Sequence, residues 1–196
     1  MPIFRRDEGG EFRPFEKTTP LPEPEQHLED WIEKNAHVLV EGESLAIVGR
    51  QVGTDFGKAA DLLAVDETGA CVVIELKRGQ APREVIAQTL EYTAWVDSLS
   101  FDDLDDVARE YAAKRGLDGL GLEDLYGQTF SAEPDGEEGE DESTPSENRV
   151  TYNARQRMVI VAESFPGEME QTLRYLRSKL GVDVSAVRFG IYRLEE

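Results

Sequence analysis

The strongest constraint on the fold is a pair of apolar segments separated by a short polar turn. Residues 60–65 and 71–76 flank the turn at residues 66–70, which contains Gly69. Apolar segments on either side of such a turn are typical of a β-hairpin. Both segments are apolar at successive positions, as expected for central strands that are covered on both faces. The sequence therefore predicts a hairpin at the centre of a sheet with helices packed on it.

Three charged residues interrupt this apolar hairpin, namely Asp61, Glu75 and Lys77. Side chains alternate along a strand, so Glu75 and Lys77 are predicted to share one face while Leu76 points to the other. Closing the hairpin through residues 67–69 places Asp61 nearly opposite Glu75, with about 5 Å between Cβ atoms for a direct pair. Charges in apolar surroundings are costly unless they pair or bind a metal. We therefore expect two carboxylates and one ammonium to converge on one patch.

Such a patch suits metal-dependent hydrolysis of phosphodiesters. Carboxylates are hard oxygen ligands of the kind that Mg²⁺ or Mn²⁺ prefers, and the backbone carbonyl of Leu76 is a further candidate ligand. Lys77 is a candidate to orient the attacking water and to stabilise negative charge on the phosphate. The alternative is a structural Glu–Lys pair with an incidental Asp, because short patterns of this kind recur by chance.

The remaining pattern alternates helices with strands and predicts an α/β domain with a mixed central sheet flanked by helices. A helix is expected from about Glu25, a strand over residues 45–48, a helix from Pro82 to about Val96, further helix within 101–127, a strand over 158–162, a helix through Met169 and Leu180, and a last strand over 184–192. Trp31 and Trp95 are expected to pack helices onto the sheet.

The chain divides into four regions by composition. Residues 1–24 are rich in proline and are expected to form an extended N-terminal arm, and residues 25–130 form the core. Residues 131–149 are an acidic low-complexity loop, and residues 150–196 are expected to complete the same domain with a strand, a helix and a strand.

The charge balance opposes a nucleic-acid substrate. Asp and Glu total 41 against 21 Lys and Arg, which gives a formal net charge of -20. Phosphate binding depends on Lys and Arg, so this surface should repel nucleic acid at long range. Molar salt screens that repulsion, and we therefore hypothesise a high-salt host. A single cysteine, the lack of a signal-peptide pattern and the lack of an apolar run of roughly 20 residues predict a soluble cytoplasmic protein without a membrane partner.

The hairpin and its flanks resemble the nuclease core of the PD-(D/E)XK superfamily, in the branch of endonuclease NucS and RecB-like proteins. The resemblance lies in the segments 57–66 and 73–79 with Gly69 between them, in a preceding helix at 28–35, and in a Q-x-x-x-Y motif formed by Gln88 and Tyr92. It covers roughly residues 25–97 and implies a restriction-endonuclease-like core.

The resemblance implies a role for each residue of the hairpin patch. Asp61 and Glu75 would bind the metal, and Lys77 would be catalytic. Gln88 would position the substrate or the metal-bound water. Tyr92, one helical turn further on, is a candidate substrate contact, and a purely structural role is the alternative.

The family also places a metal-assisting Glu on the helix before the hairpin. Glu29 is the candidate favoured here, and Glu25 and Glu33 remain alternatives at this spacing.

Three basic residues are candidate substrate contacts, namely Lys58, Arg78 and Arg83, although each is equally consistent with a solvated surface charge. The family often has Gly-Arg shortly before the Asp. Here Gly57-Lys58 has one more residue before Asp61, which weakens the case for a phosphate contact from Lys58.

The sequence thus favours a Mg²⁺- or Mn²⁺-dependent deoxyribonuclease acting in repair or defence, with an endonuclease favoured over an exonuclease. One alternative is an inactive module that binds nucleic acid or protein and retains the fold. Another is an interaction protein whose acidic surface contacts a protein partner, and a homodimer is also compatible with the sequence.

Overall fold

The computed structural model describes residues 4–6, 12–14, 16–18, 25–40, 42–130 and 150–193. The N-terminal arm contains three short strands, β1 (Phe4–Arg6), β2 (Phe12–Pro14) and β3 (Glu16–Thr18), which the sequence pattern did not indicate. β1 and β2 pair with each other in antiparallel fashion. The predicted acidic loop at 131–149 lies outside the described residues.

The main body follows in the order of helix, three strands, three helices, strand, helix and two strands. Its elements are α1 (Glu25–Lys34), a short 3-10 helix (Ala36–Val38), β4 (Leu45–Gly53), β5 (Ala59–Asp66), β6 (Cys71–Gln80), α2 (Glu84–Asp97), α3 (Phe101–Lys114), α4 (Leu122–Phe130), β7 (Gln156–Ser164), α5 (Gly167–Leu180), β8 (Val184–Arg188) and β9 (Ile191–Arg193).

Five of these strands form the central sheet, in the spatial order β4-β5-β6-β7-β8. β4, β5 and β6 are antiparallel neighbours, whereas β7 and β8 continue the sheet in parallel pairing. The described β9 pairs with β3 of the N-terminal arm instead, in antiparallel fashion. A mixed sheet with helices on it confirms the predicted α/β fold class.

The hairpin of β5 and β6 lies between two apolar clusters, one on each face of the sheet. On one face, Leu63 and Val73 pack beneath α2, α3 and α4 in a cluster that includes buried Trp95. On the other face, Leu62 and Ile74 pack against α1. Both strands are apolar at successive positions because helices remove each face of the hairpin from water.

The turn between β5 and β6 sets the register of the hairpin. The Asp66 carboxylate accepts hydrogen bonds from Thr68 Oγ1 at 2.7 Å and from the Thr68 and Ala70 amides. Gly69 has φ +85, and a Cβ there would lie 2.6 Å from the carbonyl oxygen of Thr151. Arg157 of β7 donates to the other Asp66 oxygen at 2.8 Å. These bonds hold the turn against β7 and fix which residues of β5 and β6 face each other.

Several sequence expectations on element bounds need correction. The strand expected at 45–48 continues to Gly53, the helical stretch at 101–127 is two helices, and the last strand is broken into β8 and β9. The packing predicted for Trp31 is wrong, because 40% of this residue is exposed, whereas Trp95 is buried as expected. Among the described residues, no helix is both long and apolar enough to cross a membrane.

Candidate active site

Asp61, Glu75 and Lys77 meet on one face of the hairpin. Leu62 pairs with Ile74, so the preceding Asp61 stands opposite Glu75. The Lys77 ammonium lies 2.7 Å from Glu75 Oε1 and 3.8 Å from Asp61 Oδ2. Glu75 is fully buried and Asp61 nearly so, whereas Lys77 keeps 21% of its side chain exposed. Two carboxylates and one ammonium therefore face a single patch that water reaches from the lysine side.

The backbone of Leu76 also faces this patch. Its amide donates a 2.8 Å hydrogen bond to Asp61 Oδ2. The N–H and C=O of one residue point to the same side of an extended strand, so the Leu76 carbonyl is directed toward the Asp61 side. This orientation matches that of a carbonyl ligand next to the carboxylate.

Glu29 reaches the same patch from α1 through a chain of hydrogen bonds. It is buried, and its Oε2 accepts a bond from Arg50 Nε at 3.0 Å. Its Oε1 accepts from Gln51 Nε2 at 2.9 Å, and the same nitrogen donates to Asp61 Oδ1 at 3.1 Å. Burial, together with the charge of Asp61, raises the pKa of Glu29, although the bonds from Arg50 and Gln51 oppose the shift.

The alternative helix glutamate has other partners. Glu33 is bound by Arg50 at 3.0 Å, by the Tyr111 hydroxyl at 2.7 Å and by Arg115. The side chain of Glu25 lies outside the described residues. Glu29 is therefore the helix carboxylate that the described structure links to Asp61.

Arg50 and Gln51 belong to this site and were missed by the sequence analysis. Both lie in the part of β4 that was not predicted as strand, because Gly49 and Gly53 with two polar residues between them break the apolar pattern. The signal that could have found Gln51 is register. Extending β4 to Gly53 places Gln51 across from Asp61 on the neighbouring strand.

Gln88 and Tyr92 lie one turn apart on α2, and their side chains bond to each other. Gln88 Nε2 donates to the Tyr92 hydroxyl at 2.8 Å. Tyr92 is buried, and this burial, with the charges of Glu75 and Asp61, raises the pKa of its hydroxyl. Tyr92 lies in the same buried cluster as Leu63 and Val73 of the hairpin, so this part of α2 covers the face of the hairpin that carries the patch.

The three basic residues predicted to contact the substrate lie in two different places in the structure. Lys58 is exposed just before β5, with its ammonium 3.8 Å from a Glu91 oxygen on α2. Arg78 follows Lys77 on β6 and is exposed. Arg83 pairs with Glu168 of α5 and lines a cavity of about 350 Å³ between α2 and α5. Lys58 and Arg78 are thus close along the strands to the carboxylates, whereas Arg83 joins two helices.

The donor set of the patch fits a hard divalent cation. Among the described residues, no group of three or more His, Cys, Asp or Glu side chains is arranged to hold a metal ion. An ion at the hairpin would therefore rely on Asp61, Glu75 and the Leu76 carbonyl, with water completing its shell. Mg²⁺ is typically held by one or two carboxylates and keeps several waters, so these residues fit it.

A scan against protein-family models gives no match to this chain, and a search of curated proteins gives none either.

A search of solved structures finds a repair endonuclease from Pyrococcus abyssi, with 19% sequence identity and a TM-score of 0.44 over 87% of this chain and 50% of that one. It also finds EndoMS in a complex with double-stranded DNA, with 17% identity and a TM-score of 0.44 over 90% and 50% of the two chains. EndoMS in its apo form matches with 18% identity and a TM-score of 0.40 over 86% and 48%. The chain spans about half the length of these proteins.

Proposed function

We propose that this chain is a nuclease that uses Mg²⁺ or Mn²⁺ to hydrolyse phosphodiester bonds in DNA. The observation that supports this most directly is the convergence of Asp61, Glu75 and the Lys77 ammonium on one patch of an otherwise apolar sheet. Two carboxylates on central strands are expensive to bury unless their charge is compensated. A divalent cation together with Lys77 would compensate the negative charge of Asp61 and Glu75.

In this proposal Asp61 and Glu75 hold the metal, with help from the Leu76 carbonyl. When bound, a divalent ion neutralises charge on phosphate oxygens and makes nearby water more acidic. Lys77 keeps 21% of its side chain exposed at the edge of the patch, so a phosphate bound there would lie close to an ammonium that is already paired with Glu75. Its charge would stabilise the negative charge that develops as the phosphodiester is attacked.

The surrounding side chains have supporting roles in the same proposal. Glu29 joins the metal environment through its hydrogen-bonded link to Asp61. Gln88 positions the substrate or the attacking water from α2, while Tyr92 supports the Gln88 amide. Lys58 and Arg78 supply local positive charge for the phosphate backbone, which matters on a chain with net charge -20.

DNA, an endonucleolytic cut and a role in repair or defence in the cytoplasm are part of the proposal. The neighbouring structures are a repair endonuclease and EndoMS in a complex with double-stranded DNA, and these activities and partners belong to those proteins. For this chain the substrate is a matter for experiment, so a panel of DNA structures is required.

A second candidate is a binding module that retains the fold without catalysis. The net charge of -20 favours it, because an acidic surface repels phosphate and suits a basic protein partner or a second copy better than DNA. It predicts that the protein binds a partner but leaves every DNA in the panel intact.

The deciding experiment is a cleavage assay on labelled single-stranded, duplex, flapped and mismatched DNAs, with Mg²⁺ or Mn²⁺, at low and high salt. Wild type is compared with Asp61→Ala and Lys77→Ala. Asp55→Ala and Lys179→Ala are matched controls, because both residues are exposed, and Lys179 lies near the end of α5. We expect cleavage by wild type and both controls, and its loss in both site variants.

The result separates the two candidates. Metal-dependent cutting that needs Asp61 and Lys77 would support the nuclease. Equal inactivity of a folded wild type and its variants across the panel would reject the nuclease and favour the binding module.

A further inference from the structure

Two carboxylates of the proposed site come from distant elements and are joined by one side chain. Gln51 Nε2 lies 2.9 Å from Glu29 Oε1 on α1 and 3.1 Å from Asp61 Oδ1 on β5. An ionised carboxylate only accepts hydrogen bonds, whereas an amide nitrogen has two protons to donate. The nitrogen of Gln51 must therefore face the two oxygens, and each proton has its own acceptor.

The backbone at Gln51 has a positive φ angle, which is unusual for a residue with a side chain. Its φ is +49, in the left-handed region where a residue with a side chain is strained and glycine is not. Arg50 pairs with Leu62 and Val52 with Ala60, so Gln51 stands opposite Asp61 while departing from regular strand geometry. The two hydrogen bonds to carboxylates offset this strain, and they do so only if both carboxylates keep their places.

The remaining oxygens of both carboxylates are also held. Glu29 Oε2 accepts from Arg50 Nε, and Asp61 Oδ2 accepts from the Leu76 amide. Each of the four oxygens thus has one protein donor, which fixes both carboxylates in orientation. A carboxylate oxygen accepts more than one partner, so a capacity for ligation remains. The amide that links the two groups is neutral and adds no charge that would repel a cation.

We propose that Gln51 is a positioning residue that is anchored by Glu29 and holds Asp61 in the orientation needed to bind a divalent ion together with Glu75. This inference rests on the proposed function, because it assigns a role relative to the same metal site. Residues that orient metal ligands through hydrogen bonds typically contribute 10- to 100-fold to metal affinity. Gln51 acts on Asp61 and is itself held by Glu29, so its contribution should shrink when Glu29 loses its charge.

The test is Mn²⁺ binding to the folded protein without DNA, measured by isothermal titration calorimetry. The proteins are wild type, Gln51→Ala, Glu29→Gln and the double variant. We expect Gln51→Ala to weaken Mn²⁺ binding by about 10- to 100-fold. The double variant should lose less Mn²⁺ affinity than the two single variants lose in sum, because the two residues act together.

Two further variants separate positioning from stability. Thr54→Ala removes a 3.0 Å bond to the Lys58 carbonyl in the neighbouring turn without touching a carboxylate, so its Mn²⁺ affinity should equal that of wild type. Gln51→Gly removes the amide and also relieves the left-handed backbone strain, so it tests the loss of the amide in a chain whose fold is not weakened at this point. We expect it to bind Mn²⁺ as weakly as Gln51→Ala.

The outcomes distinguish this inference from the proposed function. Equal Mn²⁺ affinity in wild type and Gln51→Gly would overturn the positioning role, and so would additive effects of Gln51→Ala and Glu29→Gln. If either of these results were found while wild type bound Mn²⁺ and cut DNA and Asp61→Ala did neither, the nuclease proposal would remain and only the role of Gln51 would be rejected. Absence of Mn²⁺ binding by folded wild type would overturn both.

Discussion

Replacing Lys77 with Met tests the electrostatics of the hairpin patch in the absence of metal. The substitution keeps most of the apolar stem and removes the ammonium that lies 2.7 Å from Glu75 Oε1. Only 1% of the Glu75 side chain is exposed, so its charge then sits in a nearly dry environment without that ammonium. Breaking a buried ion pair by removing one partner costs about 3–5 kcal/mol. Because 21% of the Lys77 side chain is exposed, we expect the lower end of that range, about 3 kcal/mol.

Urea unfolding followed by far-UV circular dichroism, with EDTA present, measures this cost. With a slope of about 2 kcal/mol per molar urea, the midpoint should fall by about 1.5 M. Lys114→Met is the matched control, because its ion pair with Glu110 is also 2.7 Å long but both side chains are mostly exposed. Exposed pairs contribute less than about 1 kcal/mol, so this midpoint should barely move.

The double variant Lys77→Met/Glu75→Gln completes the test. It removes the buried charge together with its partner, so it should recover much of the stability that Lys77→Met loses. The reasoning would be refuted by a Lys77→Met midpoint no lower than that of Lys114→Met, or by a double variant no more stable than the single one.

Three further predictions concern acid stability, the α2 pair and salt. Burial raises the pKa of Asp66, but hydrogen bonds led by those from Thr68 and Arg157 outweigh it and leave the pKa below its usual value. Its charge therefore stabilises the fold above about pH 4, and this contribution is lost as pH falls through the folded-state pKa. Urea midpoints of wild type and Asp66→Asn should converge on acidification, and a constant gap between pH 7 and pH 2 would contradict this. Tyr92→Phe removes the hydroxyl bound by Gln88 and should cost about 1 kcal/mol in urea unfolding while lowering the cleavage rate less than Gln88→Ala does; a larger loss of rate in Tyr92→Phe would give the hydroxyl a catalytic role. With a net charge of -20, the protein should melt at a higher temperature in 2 M KCl than in 0.1 M KCl, and equal melting temperatures would remove the high-salt hypothesis.

The hairpin and the sheet class were accessible from the sequence because their signals are local. Two segments that are apolar at successive positions, on either side of a turn with Gly69, leave few alternatives to a central hairpin. Alternation then determines which charged side chains share a face, and the contact between Glu75 and Lys77 follows from it. A period of two and a short turn therefore predict the convergence of the three hairpin residues, although their catalytic roles stay predictions.

The parts of the site that the sequence did not give are those that depend on contacts between distant segments. The sequence could not identify Gln51 as a site residue, because this requires the register of β4 on β5. That register contains an irregularity between Ile47 and Gly49. Helical spacing allows both Glu29 and Glu33, and the preference for Glu29 gained support only from the structure, because Arg50 binds both residues whereas Gln51 links Glu29 to Asp61. Trp31 shows the converse, since its apolar character did not place it in the core.

The position of the two carboxylates within one hairpin has a consequence for how the chain folds. Asp61 and Glu75 are separated by thirteen residues and meet when a short loop closes, which has a small entropic cost. The parallel pairing of β6 with β7 joins strands that are far apart along the chain, and non-local pairing of this kind is slow. A divalent ion held by Asp61 and Glu75 would therefore stabilise a contact that is able to form early in folding as well as the native state. Chelation should then slow refolding more than it speeds unfolding, so a proposed catalytic metal would also act early in the folding of the protein.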